Sequence, residues 1–90
     1  MAKSRVRFSP TPNPNAGKFT ASRPLVEGPR GRSFDSAEEA AGDPVAKRLF
    51  QISGVEGVFM VEDFVTVTKS AAAEWSELEP KVRAALAEVL

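Results

Sequence analysis

Residues 58–68 restrict the possible folds more than any other stretch of the chain. Val58-Phe59-Met60-Val61 and Phe64-Val65-Thr66-Val67-Thr68 are two runs of β-branched and aromatic residues separated by Glu62-Asp63. That pattern predicts an antiparallel hairpin. Glu-Asp lacks the glycine that a two-residue turn prefers, which leaves room for a wider loop. With a two-residue turn, position 61 pairs with 64, 60 with 65 and 59 with 66. Successive side chains then point to opposite faces. Val58, Met60, Val65 and Val67 form one face, suited to packing under helices. Phe59, Val61, Phe64, Thr66 and Thr68 form the other, which a two-layer domain leaves open to solvent. Two phenylalanines there make an apolar patch of the kind that marks a partner site. The competing expectation is that residues 22–34 fold over it through Leu25, Val26 or Phe34.

The remaining elements follow from local signals. Arg5-Val6-Arg7-Phe8 alternates charged and apolar residues, as a half-buried strand does, and ends at Pro10. Thr11-Pro12-Asn13-Pro14-Asn15-Ala16-Gly17 reads as a rigid turn-rich loop, because proline fixes φ and Asn bonds nearby backbone. Lys18-Phe19-Thr20-Ala21 is a second strand. Pro24, Gly28, Pro29 and Gly31 mark residues 22–33 as a surface loop. Ser36-Ala37-Glu38-Glu39 has capping-box spacing and opens a short turn at 36–41. Asp43-Pro44 is an N-cap acceptor followed by a first-turn proline, and it starts a helix over 44–52 that Gly54 stops. Trp75, Leu78, Val82, Leu86 and Val89 form one apolar stripe on a last helix. Its start is predicted at a second capping box, Ser76 to Glu79, with Pro80 in the first turn. The order is ββαββα: an α+β domain of two layers, with a four-stranded antiparallel sheet and helices on one face.

Composition bounds the chemistry. Ninety residues make one domain, residues 1–90, and there is no cysteine or histidine among them. The core must therefore come from six Phe, one Trp and the aliphatic residues, without disulfide or structural zinc. The commonest nucleophile, general base and soft-metal ligands are missing together. No apolar run approaches the roughly 20 residues of a membrane helix, so no membrane association and a cytoplasmic location are expected. Net charge is zero, but residues 1–34 hold seven basic residues (Lys3, Arg5, Arg7, Lys18, Arg23, Arg30, Arg32) against the single acid Glu27. Such a split suits either a basic arm for nucleic acid or two layers that attract each other. The dispersal of these residues among prolines and apolar residues favours the second, since nucleic-acid binders gather their charge more tightly.

The chemical motifs resolve into structural ones. Gly17-Lys18 fails as a phosphate loop, because Phe19 stands where Ser or Thr must hold Mg²⁺ and Pro12 stands at the first glycine. Gly54-Val55-Glu56-Gly57 carries an acid where an RNA-clamping loop needs positive charge. Glu38/Glu39, Glu62/Asp63 and Glu77/Glu79 lie on caps and turns, where acids serve helix dipoles and solubility. Serine and threonine hydroxyls have no histidine to activate them. An enzyme is not expected.

Several segments together carry a resemblance. Thr11-Pro12-Asn13-Pro14-Asn15-Ala16 with Lys18-Phe19, Ser33-Phe34, Asp43-Pro44 leading to Leu49-Phe50, Gly54-Val55 with Val58-Phe59, Asp63-Phe64-Val65-Thr66-Val67-Thr68-Lys69, and Trp75 with Leu78 and Pro80 occur in this order. In this the chain resembles the N-terminal domain of Nfu/NifU-type iron–sulfur scaffold proteins. Gly17, where that family often has a larger residue, departs from the pattern. The resemblance implies a place in iron–sulfur cluster assembly or delivery, through contact with a carrier or client protein. Family members usually add a domain whose Cys-x-x-Cys holds the cluster, and these 90 residues contain none. A stand-alone, non-enzymatic module is expected, with no catalytic residue and no cofactor bound by this chain. Asn13, Asn15 and Lys18 in the loop, with Phe59 and Phe64 on the open face, are the expected partner-binding residues. The second reading is a small nucleic-acid-associated protein using Arg5, Arg7, Arg23, Arg30 and Arg32 on phosphates.

Overall fold

The computed structural model describes residues 6–21 and 31–89. Five strands, not four, form the sheet: β1 (Arg7–Pro10), β2 (Ala16–Thr20), β3 (Arg32–Phe34), β4 (Val55–Val61) and β5 (Phe64–Lys69). A 3₁₀ turn (Glu39–Gly42) and α1 (Pro44–Phe50) separate β3 from β4, and α2 (Trp75–Val89) follows β5. The spatial order is β1-β2-β5-β4-β3, with every neighbouring pair antiparallel.

The hairpin is laid out as its alternation requires. Val61 pairs with Phe64, Met60 with Val65 and Phe59 with Thr66 across a turn of two residues. The turn is no wider because Glu62 itself takes the left-handed conformation, φ +52°, that glycine would otherwise supply. Gly54 ends the preceding turn at φ +102°, where a side chain would be strained. A bulge between Val55 and Gly57 lets β4 rejoin β5 at Lys69.

The fifth strand corrects the sequence reading. Arg32-Ser33-Phe34 lies at the end of a stretch read as loop and pairs with Met60, Phe59 and Val58. Three residues are too few to show a period, so only the free edge of β4 defines this strand. Phe34 faces the helices and is buried in the core, so it does not cover the opposite face. Leu25 and Val26, the other expected covers, lie outside the described residues, as does Arg5 of the first predicted strand. β1 starts at Arg7 and runs through Pro10, which is tolerated because β1 is an edge strand.

One core lies between the sheet and the helices. Phe19, Phe34, Val58, Met60, Val65 and Val67 from the sheet meet Ala46 and Leu49 of α1 and Leu78, Val82, Ala85 and Leu86 of α2. Each of the larger side chains is worth about 1.5–3 kcal/mol on full burial. Both helices pack on this one face, as the apolar stripes require.

Asp43 caps α1 as its position before Pro44 predicts. Its Oδ1 accepts the backbone N–H of Val45 and of Ala46, each at 3.0 Å. Its Oδ2 accepts from Arg32 of β3 at 3.3 Å, joining helix and strand. The cap is buried, whereas the Arg32 side chain is 55% exposed. Asp43→Ala is therefore expected to cost about 1–2 kcal/mol, since it orphans two helix donors. Arg32→Ala is expected to cost under about 1 kcal/mol, the range of an exposed ion pair. Urea denaturation of the two variants gives the comparison.

The start of α2 also differs from expectation. The carbonyl of Glu74 accepts from Glu77 and Leu78, so Trp75 is the first helical residue and Ser76 is not the cap. Pro80 consequently sits inside the helix, on its exposed side. Tertiary anchoring of the Trp75 ring, whose Nε1–H donates to the Pro14 carbonyl, draws that residue into the first turn. The other capping box forms only in half: Ser36 Oγ accepts from Glu39 N–H at 3.2 Å, but Glu39 Oε1 accepts from Asp35 N–H rather than from that of Ser36, and the 3₁₀ turn starts at Glu39.

Candidate functional site

The expected partner-binding residues fall into two groups on opposite sides of the sheet. Asn13 and Asn15 belong to a hydrogen-bonded knot at its helix side. Thr11 Oγ1 reaches the carbonyls of Asn13 and Ala16, both at 2.9 Å. Asn13 Oδ1 accepts from Asn15 N–H at 2.9 Å, an Asx turn that fixes the loop. Asn15 binds Lys69 twice: its carbonyl accepts the Lys69 N–H at 2.8 Å and its Oδ1 accepts from Nζ at 3.1 Å. Lys69 is only 8% exposed. Its other acceptor is the Ser70 carbonyl, and none of the ion pairs among the described residues includes it. Trp75 Nε1–H donates to the Pro14 carbonyl at 3.0 Å, while its ring packs 5.3 Å from Phe8 and 6.0 Å from Phe19. Gly17 fits this cluster because a β-carbon there would come within 2.5 Å of Phe8 Cε1. The side-chain oxygens of Asn13 and Asn15 are thus spent on holding the loop.

Lys18, Phe59 and Phe64 lie on the other, open face. Pairing places Ser9, Lys18, Thr66, Phe59 and Ser33 in one row across the strands. Arg7, Thr20, Phe64 and Val61 form the next row. Lys18 Nζ stands 4.3 Å from the Phe64 ring centroid, a cation–π contact that half-buries the ring. Phe59 is 41% exposed, the one large apolar side chain so open among the described residues. Gly31 lies against its ring, since a β-carbon there would come within 2.6 Å of Cε1 and Cζ. Sequence reasoning did not place Arg7 and Gly31 beside this patch. The pairing of β2 with β5 and of β3 with β4 brings them there, and neither pairing has a local signal.

The two described basic residues of the second reading are not gathered. Arg7 and Arg32 lie on the two outermost strands and on opposite faces, and Arg32 is tied to Asp43. Arg5, Arg23 and Arg30 lie outside the described residues.

Two hollows open on the surface of the described residues. A groove between β1 and α2 is lined by Val6, Phe8, Ala21, Pro80 and Ala84, with Arg7 and Arg83 at its rims. Its hydroxyls, Ser9 and Thr20, have no general base among the described residues that line it. A second hollow includes Glu56, Glu74, Glu77 and Lys81. No set of three or more carboxylates among the described residues is placed to hold a metal ion. No described helix is long and apolar enough to cross a membrane.

A five-stranded antiparallel sheet with two helices on one face, and an aromatic patch on the other, defines a small two-layer α+β domain. The chain belongs to the family of Nfu/NifU scaffold protein N-terminal domains, whose sequence profile matches residues 6–90. It is 38% identical over 82 residues to human "NFU1 iron-sulfur cluster scaffold homolog, mitochondrial". It is 37% identical over 81 residues to the Drosophila ananassae protein of the same name. Each alignment takes in 90% of this chain but only 32% and 28% of those proteins, so the chain spans about a third of their length. A crystal structure of Staphylococcus aureus protein SAV1430 superposes with a TM-score of 0.79 at 29% identity, covering 91% of this chain and 98% of that one. The mitochondrial names of the human and Drosophila relatives overturn the cytoplasmic location expected from composition. A lack of cysteine suits any reducing compartment, and so could not identify one.

Proposed function

We propose that this chain is a non-enzymatic docking module that assists iron–sulfur cluster assembly or delivery by binding a carrier or client protein through the open face of its sheet. Membership of the Nfu/NifU N-terminal family supports the pathway, as do relatives named as iron–sulfur cluster scaffolds. The observation that carries the docking role is the division of labour across the sheet. One face is consumed by the core, and the other presents Phe59 at 41% exposure beside Lys18 and Phe64. The cluster is cargo in this reading. These residues do not suit it as a resident group, because the chain offers neither thiolate nor imidazole. Asn13 and Asn15 hold the loop, and the contact residues are Lys18, Phe59 and Phe64.

Deleting the chain from its own cells tests the pathway. Iron–sulfur enzyme activities are expected to fall several-fold, a cluster-free dehydrogenase is expected to hold its level, and the restored chain is expected to recover the loss. Unchanged iron–sulfur enzyme activity would refute the reading.

A further inference from the structure

The open face carries a charge pattern as well as an apolar patch. Its two paired rows, from Ser9 to Ser33 and from Arg7 to Val61, contain Arg7 and Lys18 and no acid. Glu62 and Asp63 stand at the hairpin tip, beyond the last row. Arg32, Arg48 and Arg83 are each paired with a carboxylate, whereas no ion pair among the described residues includes Arg7 or Lys18. Two cations with no carboxylate partner among the described residues therefore share a sheet face with an exposed phenylalanine, on a chain of zero net charge.

From this we infer that the open face recognises a protein segment that carries a carboxylate and a bulky apolar side chain. The inference rests on the docking role proposed above and names the partner's chemistry. Lys18 and Phe59 are separated by one strand, since both are paired with Thr66. Two strand spacings put them about 10 Å apart, the reach of about three extended residues. The acid of the segment meets Lys18 and Arg7, and its apolar side chain covers Phe59 and Val61. Single-stranded nucleic acid would satisfy the charge but fits the rings less well. Bases need open ring faces to stack upon. Here Lys18 lies over Phe64, and the backbone of Gly31 is against Phe59. Both rings offer apolar contact more readily than stacking.

An NMR titration of the isotope-labelled full chain tests this. The probe is the peptide Gly-Asp-Ser-Pro-Phe-Asp-Ser-Pro-Phe-Gly, compared with versions carrying Lys for Asp or Ala for Phe. A thymidine oligonucleotide of about ten residues is the competitor. The acidic peptide is expected to shift amides of Lys18, Phe59, Val61, Phe64 and Thr66, with binding that weakens as salt rises. Both altered peptides are expected to bind more weakly by roughly tenfold. The double variant Arg7→Glu with Lys18→Glu, folded by its thermal transition, should lose the acidic peptide and gain the Lys version. Absent shifts, shifts confined to the β1–α2 groove, or tighter binding of the oligonucleotide would each overturn the inference. Those outcomes leave the pathway reading standing, because deletion tests it separately. Conversely, a chain whose deletion spares iron–sulfur enzymes can still show or lack this surface.

Discussion

Replacing Phe19 by alanine is expected to remove about 3–5 kcal/mol of stability, the usual cost of emptying a fully buried phenylalanine site. Phe19 is 0% exposed in β2, where it pairs with Val65 and lies beneath α2. Its ring centroid is 5.0 Å from that of Phe8 and 6.0 Å from that of Trp75. Those rings are held by β1 and by the Trp75–Pro14 hydrogen bond, so they cannot readily close the space. A small domain has only about 5–15 kcal/mol in total, and the variant should therefore be partly or largely unfolded near 37 °C. Urea denaturation followed by the fluorescence of Trp75, the single tryptophan, reads the loss directly. A loss below about 1 kcal/mol would mean that this cluster is not the core.

Asn15→Ala is expected to cost about 2–3 kcal/mol, more than an ordinary loop substitution. Its side-chain oxygen is one of two acceptors on the buried Lys69 ammonium, and the other is the neutral Ser70 carbonyl. A hydrogen bond to a charged group is worth roughly 1.5–3 kcal/mol, and a buried donor left without its acceptor bears the desolvation cost. The sign of the coupling is the sharper test. Adding Lys69→Met to Asn15→Ala removes the stranded charge and should recover part of the loss. The apolar replacement can still pack toward Trp75, whose ring centroid lies 6.0 Å from Lys69 Nζ. Additive losses in a double-mutant cycle would show that the two side chains do not depend on each other.

The parts of the fold legible in the sequence were those with a short-range cause. The hairpin register follows from strict alternation on both sides of Glu62-Asp63, and the start of α1 from Asp43-Pro44. β3 was not legible, because Arg32-Ser33-Phe34 has no period of its own and depends on β4. The same holds for the start of α2, where the contact of Trp75 with residues some 60 positions earlier outweighed the capping signal of Ser76. For the site, Phe59 and Phe64 were placed on one face by the hairpin register together with alternation along each strand. Asn15 and Lys18 looked like parts of one loop site, but they are an odd number of residues apart. The strand therefore turns them to opposite faces. Polarity and proximity could not reveal that the Asn15 oxygens belong to Lys69, 54 residues away.

In the docking role proposed above, the open face acts while the other face folds. Phe59→Ser separates these roles most directly, because Phe59 is exposed on the former and absent from the core. The measurement is iron–sulfur enzyme activity in deletion cells supplied with this variant, beside its urea denaturation curve. Stability within about 1 kcal/mol of the parent is expected, together with failure to restore activity. Full restoration by a stably folded Phe59→Ser chain would contradict that role.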